Sequence, residues 1–317
     1  MSTAIPRNVP LIEQRADPFV FKHTDGMYYF TASVPLYDRL ELRRATTIAG
    51  LADATPVTVW HKPDTGPYSE LIWAPEIHFN NGAWYIYFAA APTKEIKDEL
   101  FQHRMYAISC TAANPLEGEW SDVVRIDTGM DTFCLDATTF HHKGELYYLW
   151  AQKGPDIPGN SNLYLARMDT PVTLATAPVM LTKPEYDWEC VGFSVNEGPG
   201  ILRYGNRIFV TYSSSATGIE YCVGLLSASM DDDLLDPKSW TKSQVPVFQS
   251  APENHIYGPG HNSFTKSEDG ADDILVYHAR TYTEIVGDPL WDPNRHTFVK
   301  PVQWDAAGYP VFGIPGA

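Results

Sequence analysis

DPFVFKHTDG (17–26), APEIHFNNG (74–82), DATTFHHKG (136–144), EGPGILRYG (197–205) and HNSFTKSEDG (261–270) are five versions of one segment. In each, a turn glycine follows the first residue at an offset of 8 or 9, and the first residues follow one another at spacings of 57, 62, 61 and 64. Behind each glycine lies a short aromatic and β-branched run: MYYFTAS (27–33), AWYIYFAA (83–90), ELYYLWAQ (145–152), RIFVTYSS (207–214) and DILVYHAR (273–280). Such residues fit a half-buried pleated surface, and two such runs around a tight turn read as a hairpin. A hairpin returning with a period near 60 residues marks a repeat architecture. Each unit has room for about four strands, which is a propeller blade. Five units nearly fill the 317 residues, so the sequence predicts an all-β, five-bladed β-propeller forming a single domain over 1–317. A large β-sandwich would use similar strands but gives no reason for the period.

The composition agrees. Aromatic residues make up 13% of the chain, with 18 tyrosines, and the 25 prolines and 22 glycines lie between the runs instead of pooling in a linker. The best helical candidate is one short polar stretch, KEIKDELFQH (94–103). Against 39 Asp and Glu stand 23 Lys and Arg, a formal net charge of −16. Binding a phosphate backbone requires a basic stripe, and none is present, so no nucleic-acid partner is expected. No segment approaches a membrane span, and the opening MSTAIPRNVPLIEQ (1–14) lacks the apolar run of a secretory leader. Cys110, Cys134, Cys190 and Cys222 lie far apart without a CxxC pair, which argues against a zinc cluster or a disulfide framework. Together these features predict a soluble, cytoplasmic protein with ordinary thiols. The acidic stretch Met230–Asp233 reads as a solvated loop, and nothing fixes the oligomeric state.

The repeat also indicates where chemistry belongs. Innermost propeller strands line the central channel, so equivalent positions form a ring about the axis. That ring reads Asp17, Ala74, Asp136, Glu197 and His261. Three carboxylates converging on a poorly solvated axis raise one another's proton affinity, an arrangement kept mainly at functional sites. A single such acid is ordinarily a solvated strand end; three in register ask for another explanation. Trp73, just before the ring position of blade two, either stacks on a bound sugar or packs at a blade edge. His141 and His142 are strand neighbours pointing to opposite faces, so they do not share an ion.

At this point the chain resembles glycoside hydrolase family 43. The resemblance rests on ADPFVF (16–21) followed by DGMYY (25–29), WAPE (73–76), LDATTF (135–140) with KGELYYLW (143–150), NEGPG (196–200), GPGHNS (258–263), and an ending from DPNRHT (292–297) to VQWDAAGYPVFGIP (302–315). It covers essentially the whole chain, and the ordered set at the repeat spacing is far more specific than any one motif. It implies a propeller that hydrolyses pentose glycosides with inversion at the anomeric carbon. It further implies that Asp17 is the general base, Asp136 an acid that modulates its neighbour, and Glu197 the general acid. By the same resemblance Arg295 touches sugar hydroxyls. His261 lies by the channel floor, near a structural Ca²⁺ held through water or as an ordinary core histidine, and no cofactor is required.

The chemistry accounts for three acids where two are the minimum. An inverting glycosidase pairs a carboxylate that deprotonates water with a protonated carboxyl that donates to the leaving oxygen. An anionic Asp136 beside Glu197 would help Glu197 keep that proton near neutral pH. The family divides among α-L-arabinofuranosidases, β-xylosidases and endo-arabinanases. Because the chain leaves no room for the accessory sandwich of many β-xylosidases, and lacks the leader usual for endo-arabinanases, an exo-acting α-L-arabinofuranosidase on α-1,5-linked arabino-oligosaccharides is expected. Candidate loops to close the channel are 36–44, 91–103 and 152–160. A β-xylosidase or endo-arabinanase acting on xylo- or arabino-oligosaccharides is the alternative within the family. A non-catalytic carbohydrate- or protein-binding propeller is the alternative outside it.

Overall fold

The computed structural model describes residues 8–317. Residues 1–7, which carry half of the stretch read for a leader, lie outside the described residues. Each predicted hairpin forms, and each grows outward into a blade. Blade one is Ala16–Lys22, Tyr28–Ser33, Arg39–Ala45 and Val57–His61. Blade two is Glu70–Asn80, Ala83–Ala91, Arg104–Cys110 and Val124–Arg125. Blade three is Cys134–His142, Glu145–Gln152 and Asn162–Thr170, edged by Thr173–Leu174 and Val179–Thr182. Blade four is Asn196–Tyr204, Arg207–Ser214, Cys222–Ser229 and Thr241–Lys242. Blade five is Tyr257–Lys266, Asp273–Arg280 and His296–Pro301.

The fourth pairing of blade five comes from the other end of the chain. Ile12 bridges Thr297, with Leu11 N donating to Thr297 O at 2.7 Å and Thr297 N to Ile12 O at 2.8 Å. The ring is thus closed by the N-terminal segment. The tail forms the small hairpin Gln303–Trp304 with Pro310–Val311. Trp304 stacks on Tyr204 of blade four at 4.2 Å, and Phe312 joins Phe248, Leu275 and Tyr277 in the core between blades four and five. An aromatic tail finds its partners where aromatic surface is open, here against blades four and five.

Aromatic residues from facing blades interdigitate to make the core. Trp84 and Tyr29 lie between blades one and two, and Tyr87 meets Tyr148 between two and three. All four are essentially inaccessible, and full burial of such a side chain is worth about 1.5–3 kcal/mol. Segment 94–103 contains no helix: its local order is a bridge between Lys97 and Leu100. The one α-helical turn among the described residues is Gly50–Asp53. The stretch 36–44, read as a loop, is mostly the third strand of blade one. No helix among the described residues is long and apolar enough to cross a membrane.

Candidate active site

Every innermost strand shares one bulge against its hairpin partner, and those of blades two and five carry a second, earlier one. The irregularity falls between Ala16 and Phe19, Trp73 and Glu76, Leu135 and Ala137, Glu197 and Gly200, and Gly260 and Ser263. At each bulge one residue takes the left-handed conformation: Asp17 (φ 54°), Ala74 (46°), Asp136 (53°), Gly198 (54°) and His261 (42°). A bulge re-aims a side chain, and here five bulges aim at one axis. The ring is therefore Asp17, Ala74, Asp136, Gly198 and His261, and the sequence register was one residue off in blade four. Glu197 stands a place earlier, level with Ala16, Trp73, Leu135 and Gly260. The error came from counting back from the turn glycine, because the distance from bulge to turn is shorter in blade four than in blade three. Glycine relieves strain at 198: a Cβ there would lie 3.1 Å from the His261 ring in a left-handed backbone conformation.

A collar of hydrogen bonds holds the bulges. Asp17 N donates to His278 Nδ1 at 3.0 Å, Ala74 N to Ser33 Oγ at 2.8 Å, Gly198 N to Asp136 Oδ2 at 3.0 Å and His261 N to Ser213 Oγ at 2.7 Å. Each amide is satisfied by the preceding blade, so each bulge is keyed to its neighbour. His278, Ser33 and Ser213 were not singled out from sequence. Their signal was present, since each occupies the residue of its second strand opposite the one preceding the bulge.

The three acids, His261, Arg295 and Trp73 all line one cavity of about 180 Å³ at the mouth of the channel. Asp17, Asp136, His261 and Arg295 are buried. Asp17 accepts from Ser33 Oγ at 2.5 Å, and its other oxygen lies 3.5 Å from Arg295 Nη1 and 3.3 Å from His261 Nδ1. Burial by itself raises the Asp17 carboxyl, but His261, Arg295 and His278 reverse this and hold it well below the usual carboxylate range. Burial pushes His278 down to about 3 and holds His261 below an ordinary imidazole. Both are neutral near pH 7, and His278 Nδ1 already accepts the Asp17 amide, so the full positive charge beside Asp17 is Arg295. That guanidinium also donates to Tyr37 Oη at 2.9 Å.

Asp136 and Glu197 have the opposite environment. Burial, then the charges of Glu197 and Asp17, raise Asp136, while the Gly198 amide opposes this. Burial is also the main influence on Glu197, which is pushed up to about 7 with Asp17 adding to the rise and Tyr221 opposing it. The expectation of a raised Glu197 beside a simply anionic Asp136 is thereby modified: the pair holds a proton jointly, through apolar surroundings and mutual repulsion. Tyr221 Oη donates to Glu197 Oε1 at 2.9 Å.

Trp73 is not at a blade edge. It forms part of the cavity wall, stacked on His103 at 3.9 Å and edge-on to Phe101 at 5.3 Å. Segment 91–103 supplies Ile96, Glu99, Leu100 and Phe101 to the wall, and segment 152–160 supplies Asn160. Three further wall segments were not anticipated: Phe193 with Val195, residues 215–217, and Asp288 with Leu290. His261 Nδ1 lies 3.3 Å from Asp17 and 3.6 Å from Asp136. Among the described residues no group of three or more His, Cys, Asp or Glu is placed to hold a metal.

A propeller whose channel mouth presents carboxyls of opposed proton affinity belongs to the class of proteins built to protonate and deprotonate a small polar ligand. The profile of glycosyl hydrolases family 43 matches residues 6–310. The chain belongs to that family. It is 52% identical over 308 residues, 97% of its length, to an extracellular exo-α-(1→5)-L-arabinofuranosidase of Streptomyces avermitilis, of which it covers 63%. It is 48% identical over 284 residues, 90% of its length, to a Streptomyces chartreusis protein of the same name, of which it covers 85%. An α-L-arabinofuranosidase structure from Lactobacillus brevis superposes with a TM-score of 0.95 at 57% identity, covering 96% of each chain. The chain thus spans less than two thirds of the Streptomyces avermitilis relative. Length does not separate the family's activities as expected, since a protein named an arabinofuranosidase also extends well beyond the matched region. The cytoplasmic expectation is overturned, because both Streptomyces relatives are named extracellular. It rested on a leader, a segment removed from mature proteins and unconnected with the catalytic fold.

Proposed function

We propose that this chain is an inverting, exo-acting α-L-arabinofuranosidase that releases terminal L-arabinofuranose from α-1,5-linked arabino-oligosaccharides. The observation that carries the reading is the division of proton affinity within one cavity. Asp17 is held ionised by His261, Arg295 and His278, while the Asp136–Glu197 pair is held partly protonated. In this reading Asp17 deprotonates the attacking water. Glu197 donates its proton to the departing glycosidic oxygen, and Asp136, coupled to it, shares the hold on that proton. The reaction runs on carboxyl groups alone and calls on no cofactor. Arg295 holds Asp17 and meets sugar hydroxyls, and Trp73 offers the free part of its surface to the sugar ring. A cavity of about 180 Å³ suits one terminal sugar better than the middle of a chain, which favours the exo reading, as do the names of the relatives. The test is incubation with α-1,5-arabinobiose and with 1,4-xylobiose, following the anomer first released by NMR. Arabinose released as the inverted anomer supports the reading. Xylose release alone, or release with the anomeric configuration kept, rejects it.

A further inference from the structure

The base and the acid are joined by a device that neither role accounts for. Tyr221 enters between the second and third strands of blade four, and only 1% of its surface is exposed. Its hydroxyl donates to Glu197 Oε1 at 2.9 Å. Its ring lies flat on His278, with centroids 5.5 Å apart and planes 7° from parallel, and that imidazole receives the Asp17 amide. Gly260 makes the placement possible: a Cβ there would fall 2.3 Å from the Tyr221 ring. One phenol and one imidazole, both buried, therefore span from the candidate acid to the backbone of the candidate base.

We propose that Tyr221 is a positioning residue that sets the direction and proton affinity of Glu197, with His278 as the rigid support that fixes it relative to Asp17. The inference rests on the reading of Glu197 as the acid. The charged groups facing Glu197 are Asp17 of blade one, Asp136 of blade three and Arg295, just before the third strand of blade five. Tyr221 is the neutral donor among them. A hydrogen bond to the ionised carboxylate favours ionisation, so the phenol keeps Glu197 from binding its proton too tightly to give it up. Its geometry also aims the remaining carboxyl oxygen at the leaving group.

The test is the pH dependence of kcat/KM for Tyr221→Phe on 4-nitrophenyl α-L-arabinofuranoside and on α-1,5-arabinobiose. The alkaline limb is expected to move up by about one pH unit, while the acid limb, set by Asp17, stays in place. The disaccharide, with its poor leaving group, is expected to lose about tenfold more than the nitrophenyl glycoside. Replacing Tyr221 by 3-fluorotyrosine, a stronger donor of nearly the same shape, is expected to move the alkaline limb down, and it serves even where the phenylalanine variant fails to fold. An unmoved alkaline limb in both proteins, with equal losses on the two substrates, overturns the inference while the arabinofuranosidase reading stands. A wild-type protein inactive on both substrates overturns the two together.

Discussion

Two of the cavities along the innermost strands differ in a way that shows what makes one of them a site. The mouth cavity measures about 180 Å³ and the one beneath it about 370 Å³. The lower cavity is lined by Phe19, Glu76, Thr138, Gly200 and Ser263, each two residues beyond a bulge residue on the same innermost strand. Its polar groups answer one another. Glu76 meets His78 at 2.8 Å, Ser263 donates to Pro18 O at 2.8 Å and Asn80 donates to Thr139 at 3.1 Å. At the mouth, like charges are left facing each other and a neutral imidazole lies where a cation would relieve them. The larger space is chemically quiet. What distinguishes the mouth is the bulge layer, which aims unreconciled groups at the axis.

The strongest way to break this comparison is to neutralise the acids. Asp17→Asn and Glu197→Gln are each expected to lower turnover of α-1,5-arabinobiose by roughly 10³-fold while leaving the fold intact by circular dichroism. With a leaving group as good as 2,4-dinitrophenolate, Glu197→Gln is expected to recover much of its rate and Asp17→Asn none. Equal recovery, or none in either, would erase the division between them. In the wild type, activity should fall above pH 7, as the Asp136–Glu197 pair gives up its proton.

Arg295→Leu is expected to act next most strongly. Without the guanidinium, Asp17 regains the influence of its own burial and its proton affinity rises. A base must be ionised, so the acid limb of the pH profile should move upward by a unit or more, with about 10- to 100-fold less activity at neutral pH. An unmoved acid limb would show that Ser33 and the backbone suffice to hold Asp17 ionised. Gly198→Ala comes third. Forcing a Cβ into the left-handed region costs about 1–2 kcal/mol, lowering the melting temperature by about 2–6 °C, and the amide donated to Asp136 shifts with it. Melting unchanged from wild type would mean that the bulge is not strained. The smallest effect sharpens the comparison: Glu76→Gln in the lower cavity should change turnover by no more than about threefold. A hundredfold loss there would make the two cavities one functional unit.

Much of this was legible in the sequence because a repeat is a long-range signal written locally. Five turn glycines and five aromatic runs were enough for the blades, and Asp17, Asp136, Glu197, Arg295 and Trp73 do converge. The register of Glu197 was not legible, because a bulge adds a residue without any mark in composition and the hairpins vary in length. His278 and Tyr221 were hidden for a different reason. Their importance lies in touching another blade's bulge and another strand's carboxyl, relations that sequence spacing does not contain.

Ring closure carries a kinetic consequence. Asp17 lies in blade one, while Arg295, His278 and His261 all come from blade five, across the seam sealed by Ile12 and Thr297. The ion pair between Arg295 and Asp17 spans 278 residues, and the bond from Gln14 N to His296 spans 282. Contacts so far apart along the chain are entropically the last to be made. A half-assembled molecule can possess every hairpin and a well-formed acid strand and still have no competent base. During refolding, hydrolysis should return after the β-structure does, and damage to the first strand should register as lost chemistry before it registers as lost shape.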